Sequence, residues 1–147
     1  MVSVKGCEFP ADRLYDVGNH VWYLPIEDGR VRIGLTQVAV ALASRQIFAV
    51  TPKRVGRAFA AGRSAATIES SKWVGPMRLV FDGTVAEVNA ALTERPGLLA
   101  EDAYGAGWVI VATPDGQGDS LAGLTPGAEV ARAYRAWMDA SDFPGCQ

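Results

Sequence analysis

Histidine, cysteine and lysine are scarce in this 147-residue chain. His20 is its one histidine, Cys7 and Cys146 are its two cysteines, and Lys5, Lys53 and Lys72 are its three lysines. A Ser-His-Asp or Cys-His nucleophile would have to be built on His20, and the common zinc sites need more nitrogen and sulfur ligands than the chain offers. Neither a G-x-G-x-x-G nor a G-x-x-x-x-G-K-[ST] phosphate loop occurs. These absences weigh against most self-sufficient catalytic sites and against a resident metal. Long hydrophobic runs are missing too. The longest, Val38 to Val50, is interrupted by Ser44, Arg45 and Gln46 and is too short to cross a bilayer. Met1 to Gly6 lacks the charged-then-apolar pattern of a secretion signal, so the chain reads as cytosolic. There is no basic surplus: 14 Lys and Arg stand against 16 Asp and Glu, which argues against binding nucleic acid through phosphate contacts.

What is present is an ordinary globular composition, 49% hydrophobic and 20% charged. That is enough apolar surface for one sizeable core, and residues 1–147 read as a single domain. An isolated monomer is the default expectation. Two cysteines in a reducing compartment read as free thiols. They pair instead if the chain ends lie together, as ends often do.

Aromatic and β-branched runs between Gly- and Pro-bearing turns predict strands at Val21–Leu24, Val31–Leu35, Ile47–Thr51, Ser64–Ser70, Trp73–Val80, Thr84–Val88 and Trp108–Thr113. Thr36 and Asn89 are placed to cap short helices at Gln37–Ala43 and Ala90–Thr93. Arg95–Gly107 reads as loop and Pro114–Gly127 as a polar linker. Pro126 opens a final helix, Gly127–Ala140, whose apolar face carries Val130, Tyr134, Trp137 and Met138. The sum is a mainly β fold, a small sandwich or flattened barrel with short helices and a C-terminal helix. Similar strand spacing in Val21–Ile68 and Trp73–Val111 suggests a pseudo-symmetric pair of sheets. Trp22 and Trp108 read as core, and His20 as a structural residue, because one imidazole without partners makes a poor general base. Lys53, Arg54, Arg57 and Arg63 form a small basic cluster. Its alternatives are solvated turn charges or a docking patch for an acidic partner or an anionic sulfur species.

The serine-lysine pair Ser71-Lys72 interrupts two predicted strands. A lysine at such a tip is either a solvated turn charge or an amine presented for enzymatic acylation. Ile68-Glu69-Ser70-Ser71-Lys72 resembles the lipoyl-lysine hairpin of the glycine cleavage system H protein family. Four further features follow in that family's order. They are His20-Val21-Trp22, Val31 to Thr36, Gly83 to Leu92, and the sequence Pro96, Glu101-Asp102, Tyr104-Gly105, Gly107-Trp108. The resemblance runs from Asn19 to Ala112, about two-thirds of the chain. It implies a hammerhead, or barrel-sandwich hybrid, fold. It also implies lipoic acid in amide linkage on Lys72, with Glu69 and Gly83 at the positions that assist the attaching enzymes, a ligase or transferase and lipoyl synthase. Such a protein is a covalent cofactor carrier and not an enzyme.

The family holds a cationic aminomethyl cargo with two carboxylates. At their positions this chain has Val21 and Pro76, and Asn19 stands where the family often has serine. Trp73 replaces a small residue and adds an apolar face beside the arm. The attachment features persist while the cargo features change. That combination resembles the H-like lipoate-binding proteins that work with the heterodisulfide reductase-like complex of cytoplasmic sulfur oxidation. Gly6 to Pro10, Thr51 to Gly56 and Glu69 to Pro76 resemble the same group. A neutral or anionic sulfur cargo does not need the missing carboxylates. Within that resemblance, Cys7 and Cys146 are open to two roles, a regulatory disulfide or a sulfur-accepting thiol near the arm. The alternative function is an aminomethyl carrier of glycine cleavage.

Overall fold

The computed structural model describes residues 1–116 and 120–146. Its strands are β1 (Val2–Val4), β2 (Cys7–Phe9), β3 (Leu14–Asp16), β4 (Val21–Pro25), β5 (Val31–Leu35), β6 (Ile47–Pro52), β7 (Ala58–Phe59), β8 (Ser64–Ser70), β9 (Val74–Arg78), β10 (Gly83–Val88), β11 (Ile110–Pro114) and β12 (Thr125–Pro126). The helices are α1 (Gln37–Leu42), α2 (Ala90–Glu94), α3 (Leu98–Glu101) and α4 (Val130–Ala140). The fold is mainly β with short helices and a C-terminal helix, as the composition of the runs predicts. Both helix caps are where the sequence puts them. Thr36 accepts from the Ala39 amide and Asn89 from the Ala91 amide, each satisfying a first-turn donor.

The strands form three antiparallel sheets. One has seven strands in the order β12-β3-β4-β5-β11-β10-β7, one has three in the order β6-β8-β9, and β1 pairs with β2. The expected pseudo-symmetric halves are not found. Strands from both halves share the large sheet, whereas the small sheet takes all its strands from the middle of the chain, residues 47–78, a stretch that also gives β7 to the large sheet. Similar strand spacing reflects similar turn lengths and carries no information about pairing partners.

Period-two alternation sorts β4 between two cores. Val21 and Tyr23 face the cluster that lies between the large and small sheets, with Ile33, Val50, Ile68 and Met77. Trp22 faces the other way, into a second cluster with Phe9, Val130, Tyr134 and Met138. Helix α4 closes that second core with the stripe Val130, Tyr134, Met138. Trp137 is only partly buried beside it, and Trp108, expected in the core, is likewise partly buried, with Arg32 over its ring at 5.4 Å. Gly34 makes the sheet passable for Trp22: a Cβ there would lie 2.5 Å from the indole.

Three other expectations shift. The segment Arg95–Gly107 contains α3, a single helical turn. Its first residues follow Pro96-Gly97, a pair that looks like loop in sequence. The strand expected over Trp73–Val80 ends at Arg78, and Trp73 belongs to the turn before it. The polar linker contributes Pro114 to β11 and Thr125–Pro126 to β12, and its residues 117–119 lie outside the described residues. No helix among the described residues is long and apolar enough to cross a membrane.

Candidate functional site: a lysine on a serine-locked hairpin tip

β8 and β9 pair from Ser64↔Arg78 to Glu69↔Val74, leaving Ser70 to Trp73 as the tip. Ser70 organises it. Its amide donates to the Trp73 carbonyl at 2.9 Å. Its hydroxyl donates to the same carbonyl at 3.0 Å and accepts from the amides of Lys72 at 3.3 Å and Trp73 at 3.2 Å. A serine at the start of a turn offers its backbone a local side-chain partner. Ser71 adds an external anchor, its amide donating to the Gln46 carbonyl at 3.2 Å. The tip is therefore tied to the chain entering β6 as well as to itself. Sequence reasoning fixed on Ser71-Lys72 and missed Ser70, although its position ahead of a turn was the available signal.

Lys72 projects from this turn. It is exposed and takes part in none of the ion pairs among the described residues. An acyl group on Nζ would displace no counter-ion and bury no polar atom, so the position fits a covalently attached group carried outward. Glu69 is exposed on the outer face of β8, between Ala49 of β6 and Val74 of β9. Trp73, next to the lysine in sequence, is half-buried. It folds back over Gly75, where a Cβ would lie 2.3 Å from the indole, and packs on the core between the sheets. Phe48 and Val74, 65% and 66% exposed, add apolar surface next to the tip.

Gly83 is not at the tip. It is buried in β10, paired with Phe59 and Pro114, and a Cβ there would meet the Thr113 carbonyl at 2.7 Å and Phe59 at 2.9 Å. Close approach of neighbouring strands accounts for a glycine there. Val21 is fully buried in the core between the sheets, whereas Pro76 is exposed on β9. An isolated carboxylate at position 21 would be buried among apolar neighbours at high cost.

His20 is a structural residue. Its Nδ1 shares a hydrogen bond with the Tyr134 hydroxyl at 3.0 Å, and its ring packs edge-on against Trp137. Burial pushes its pKa down to about 4, with Asp16 opposing weakly. Cys7 and Cys146 form a disulfide, which overturns the free-thiol expectation and removes both as sulfur-accepting thiols. Cys7 lies on β2 within the second core, behind the large sheet and away from the β8–β9 hairpin. The physical reason is that the ends do meet: the Cys146 amide donates to the Lys5 carbonyl at 3.0 Å.

Comparison with known proteins gives a consistent result. The family profile described as "Glycine cleavage H-protein" matches residues 13–135. The chain is 48% identical over 118 residues, 78% of each protein, to glycine cleavage system H protein 5 of Aquifex aeolicus (strain VF5). It is 34% identical over 138 residues, 94% of this chain and 85% of the relative, to H protein 2 of the same organism. The crystal structure of a glycine cleavage system H protein from Mycobacterium marinum superposes with a TM-score of 0.73 at 34% identity, covering 85% of this chain and 98% of that one.

Proposed function

The chain belongs to the glycine cleavage H-protein family, whose members are lipoyl carriers serving partner enzymes and not catalysts, and from that premise we propose that Lys72 is its lipoyl-lysine and that its cargo is sulfur. The carrier would act in the cytoplasm as one domain spanning residues 1–147, with a heterodisulfide reductase-like complex of sulfur oxidation as partner.

When attached, the lipoyl group supplies a dithiolane that takes up and releases electrons and cargo. The protein's part is presentation. Lys72 Nζ provides the nitrogen of the amide. Ser70 and the Gln46 carbonyl hold the turn so that the lysine enters the attaching enzyme's site in one backbone conformation, which lowers the ordering cost of binding. Glu69, exposed on the strand leading into the tip, is the contact proposed for the ligase or transferase and for lipoyl synthase. Gly83 acts at a distance, by letting β7, β10 and β11 close on one another.

The observation that carries the cargo assignment is the pair Val21 and Pro76. Neither family carboxylate that would hold an ammonium is present, and position 21 is sealed in the core. A family multiplied within one cell also has room for different cargo, and Aquifex aeolicus has relatives numbered 2, 3 and 5. The relatives' shared name, glycine cleavage system H protein, favours a second reading, an aminomethyl carrier working with glycine decarboxylase and aminomethyltransferase.

The mass of the tryptic peptide Ser64–Arg78, from protein purified from its native host, tests both. An acylated Lys72 resists trypsin, so the peptide survives uncut and heavier by one lipoyl group. Additional sulfur mass under sulfur-oxidising growth supports the sulfur carrier. An aminomethyl adduct supports glycine cleavage instead. A cleaved, unmodified Lys72 removes the attachment proposal and everything built on it.

A further inference from the structure

The chain is net acidic, yet it carries no carboxylate between Asp28 and Glu69. Positive charge is thus segregated into the stretch that holds β6 and β7. Lys53, Arg54 and Arg57 come together there with Pro52 to line a pocket of about 350 Å³, and no acidic side chain contributes to its walls. Arg63, grouped with them by sequence, is not among the lining residues. None of the three cations takes part in an ion pair among the described residues, whereas Lys5, Arg13, Arg30 and Arg95 each do.

The backbone beneath these cations is fixed. The Arg57 amide donates to the Arg54 carbonyl at 3.0 Å, closing a four-residue turn whose third residue, Gly56, has φ 90°. That positive φ is what a type II turn demands of its third position, and it is why glycine stands there. The turn is pinned to both sheets. Lys53 donates to the Ala65 carbonyl at 2.9 Å, Gly56 donates to the Val85 carbonyl at 2.8 Å, and the Val85 amide donates to the Arg57 carbonyl at 3.0 Å. Pro52, without an N–H and with its φ set by the ring, stiffens the entry. Lys53 is half-buried, and Arg54 and Arg57 are exposed. Three like charges facing one recess without a counter-charge repel one another. The recess gains most from a ligand that brings more than one negative charge. Two guanidinium forks and one ammonium also offer more donors than a single planar carboxylate can accept.

We infer that the pocket formed by Pro52, Lys53, Arg54 and Arg57 is a binding site for a small tetrahedral oxyanion of the sulfate, thiosulfate or phosphate kind. The site is independent of the carrier reading. It lies at the opposite end of β6 from the hairpin tip: Ile47 pairs with Ser70, whereas Pro52 pairs with Ala66. At the rise of an extended strand that separation is about 17 Å.

The test is a titration of the full-length, unmodified chain with sulfate, thiosulfate or phosphate at constant ionic strength, with chloride as the balancing anion. Backbone amides are followed by two-dimensional NMR. The expected result is a saturable shift confined to residues 53–57, with at least tenfold weaker binding in R54A and in R57A. R54K is also expected to weaken binding, because it keeps the charge and loses the fork. Unchanged amide positions elsewhere establish that each variant is folded. Shifts that never saturate, or that persist in R54A and R57A, overturn the site and leave only an ion atmosphere. Saturation by an acidic peptide but by none of the three oxyanions overturns it as well, in favour of a protein-docking patch.

Discussion

His20 occupies the left-handed region at φ 59° just before β4, and its carbonyl accepts from the Thr36 amide at 3.0 Å. Tyr134 bridges its ring to the Thr36 hydroxyl, so one tyrosine from α4 joins the entry of β4 to the cap of α1. Burial lowers the His20 pKa to about 4 from an ordinary value of 6.5. The unfolded chain therefore takes up the proton first. The contribution of neutral His20 is fully present above pH 6.5 and is lost as pH falls towards 4, amounting to about 3 kcal/mol at the acid end. His20→Asn tolerates the same backbone region and cannot titrate. Urea unfolding of the two proteins at intervals from pH 7 to pH 4 should give curves that converge as the pH falls. Parallel curves would mean that His20 is protonated at no extra cost in the fold. The sequence did not reveal this cluster, because Thr36, His20 and Tyr134 are drawn together only by tertiary packing.

At the scale of elements, the β8–β9 hairpin is held at its tip by one side chain. Ser70→Ala removes one donated and two accepted hydrogen bonds there, partly replaced by water at this half-buried site. The expected loss is about 1 kcal/mol of stability, with hydrogen exchange at the Lys72 and Trp73 amides accelerated and exchange in β4 and β5 unchanged. Acylation of Lys72 by a lipoate ligase should slow in the same variant, since a looser turn must be ordered at binding. Equal exchange in both proteins would transfer the ordering role to the Gln46 anchor. Much of this hairpin was legible: Ser64–Ser70 has the predicted limits because Thr67, Ile68 and Glu69 alternate out, in and out and a turn follows them, although Ala65 and Ala66 are both buried. The capped helices were legible for the same local reason. β1, β2, β3 and β7 were not, because strands of two or three residues are too short to show a period. The Gly75–Trp73 contact also escaped, since two residues apart in sequence says nothing about which way an indole folds.

At the scale of the whole molecule, the Cys7–Cys146 disulfide closes a loop spanning 139 residues. It joins β2 to the segment after α4, reinforced by the Lys5–Asp139 ion pair at 3.2 Å. Cross-linking so long a loop removes much of the unfolded chain's freedom, so reduction should cost about 2–5 kcal/mol. Guanidinium unfolding with and without a reductant measures it, with C7S/C146S as the permanently open control. Protection of α4 and β1–β2 should fall first, while the β6-β8-β9 sheet, which belongs to the other core, holds. A midpoint indifferent to reductant would show that packing alone secures the termini. This pairing was left open by the sequence: two cysteines near opposite ends are silent about distance until a fold brings the ends together. In a reducing compartment the bond persists only if its potential lies well below that of the glutathione pool.

The two tryptophan–glycine interlocks also bear on how this protein can be inherited. Trp22 lies over Gly34 and Trp73 over Gly75, each glycine existing as space that an indole fills. Neither partner can change alone without a clash or a hole. In descendants and cousins of this chain, a bulkier residue at position 75 should therefore arrive with a smaller one at 73, and likewise for 34 and 22. The residue beside the acceptor lysine is then inherited as half of a pair, with a history set by its glycine as much as by the cargo.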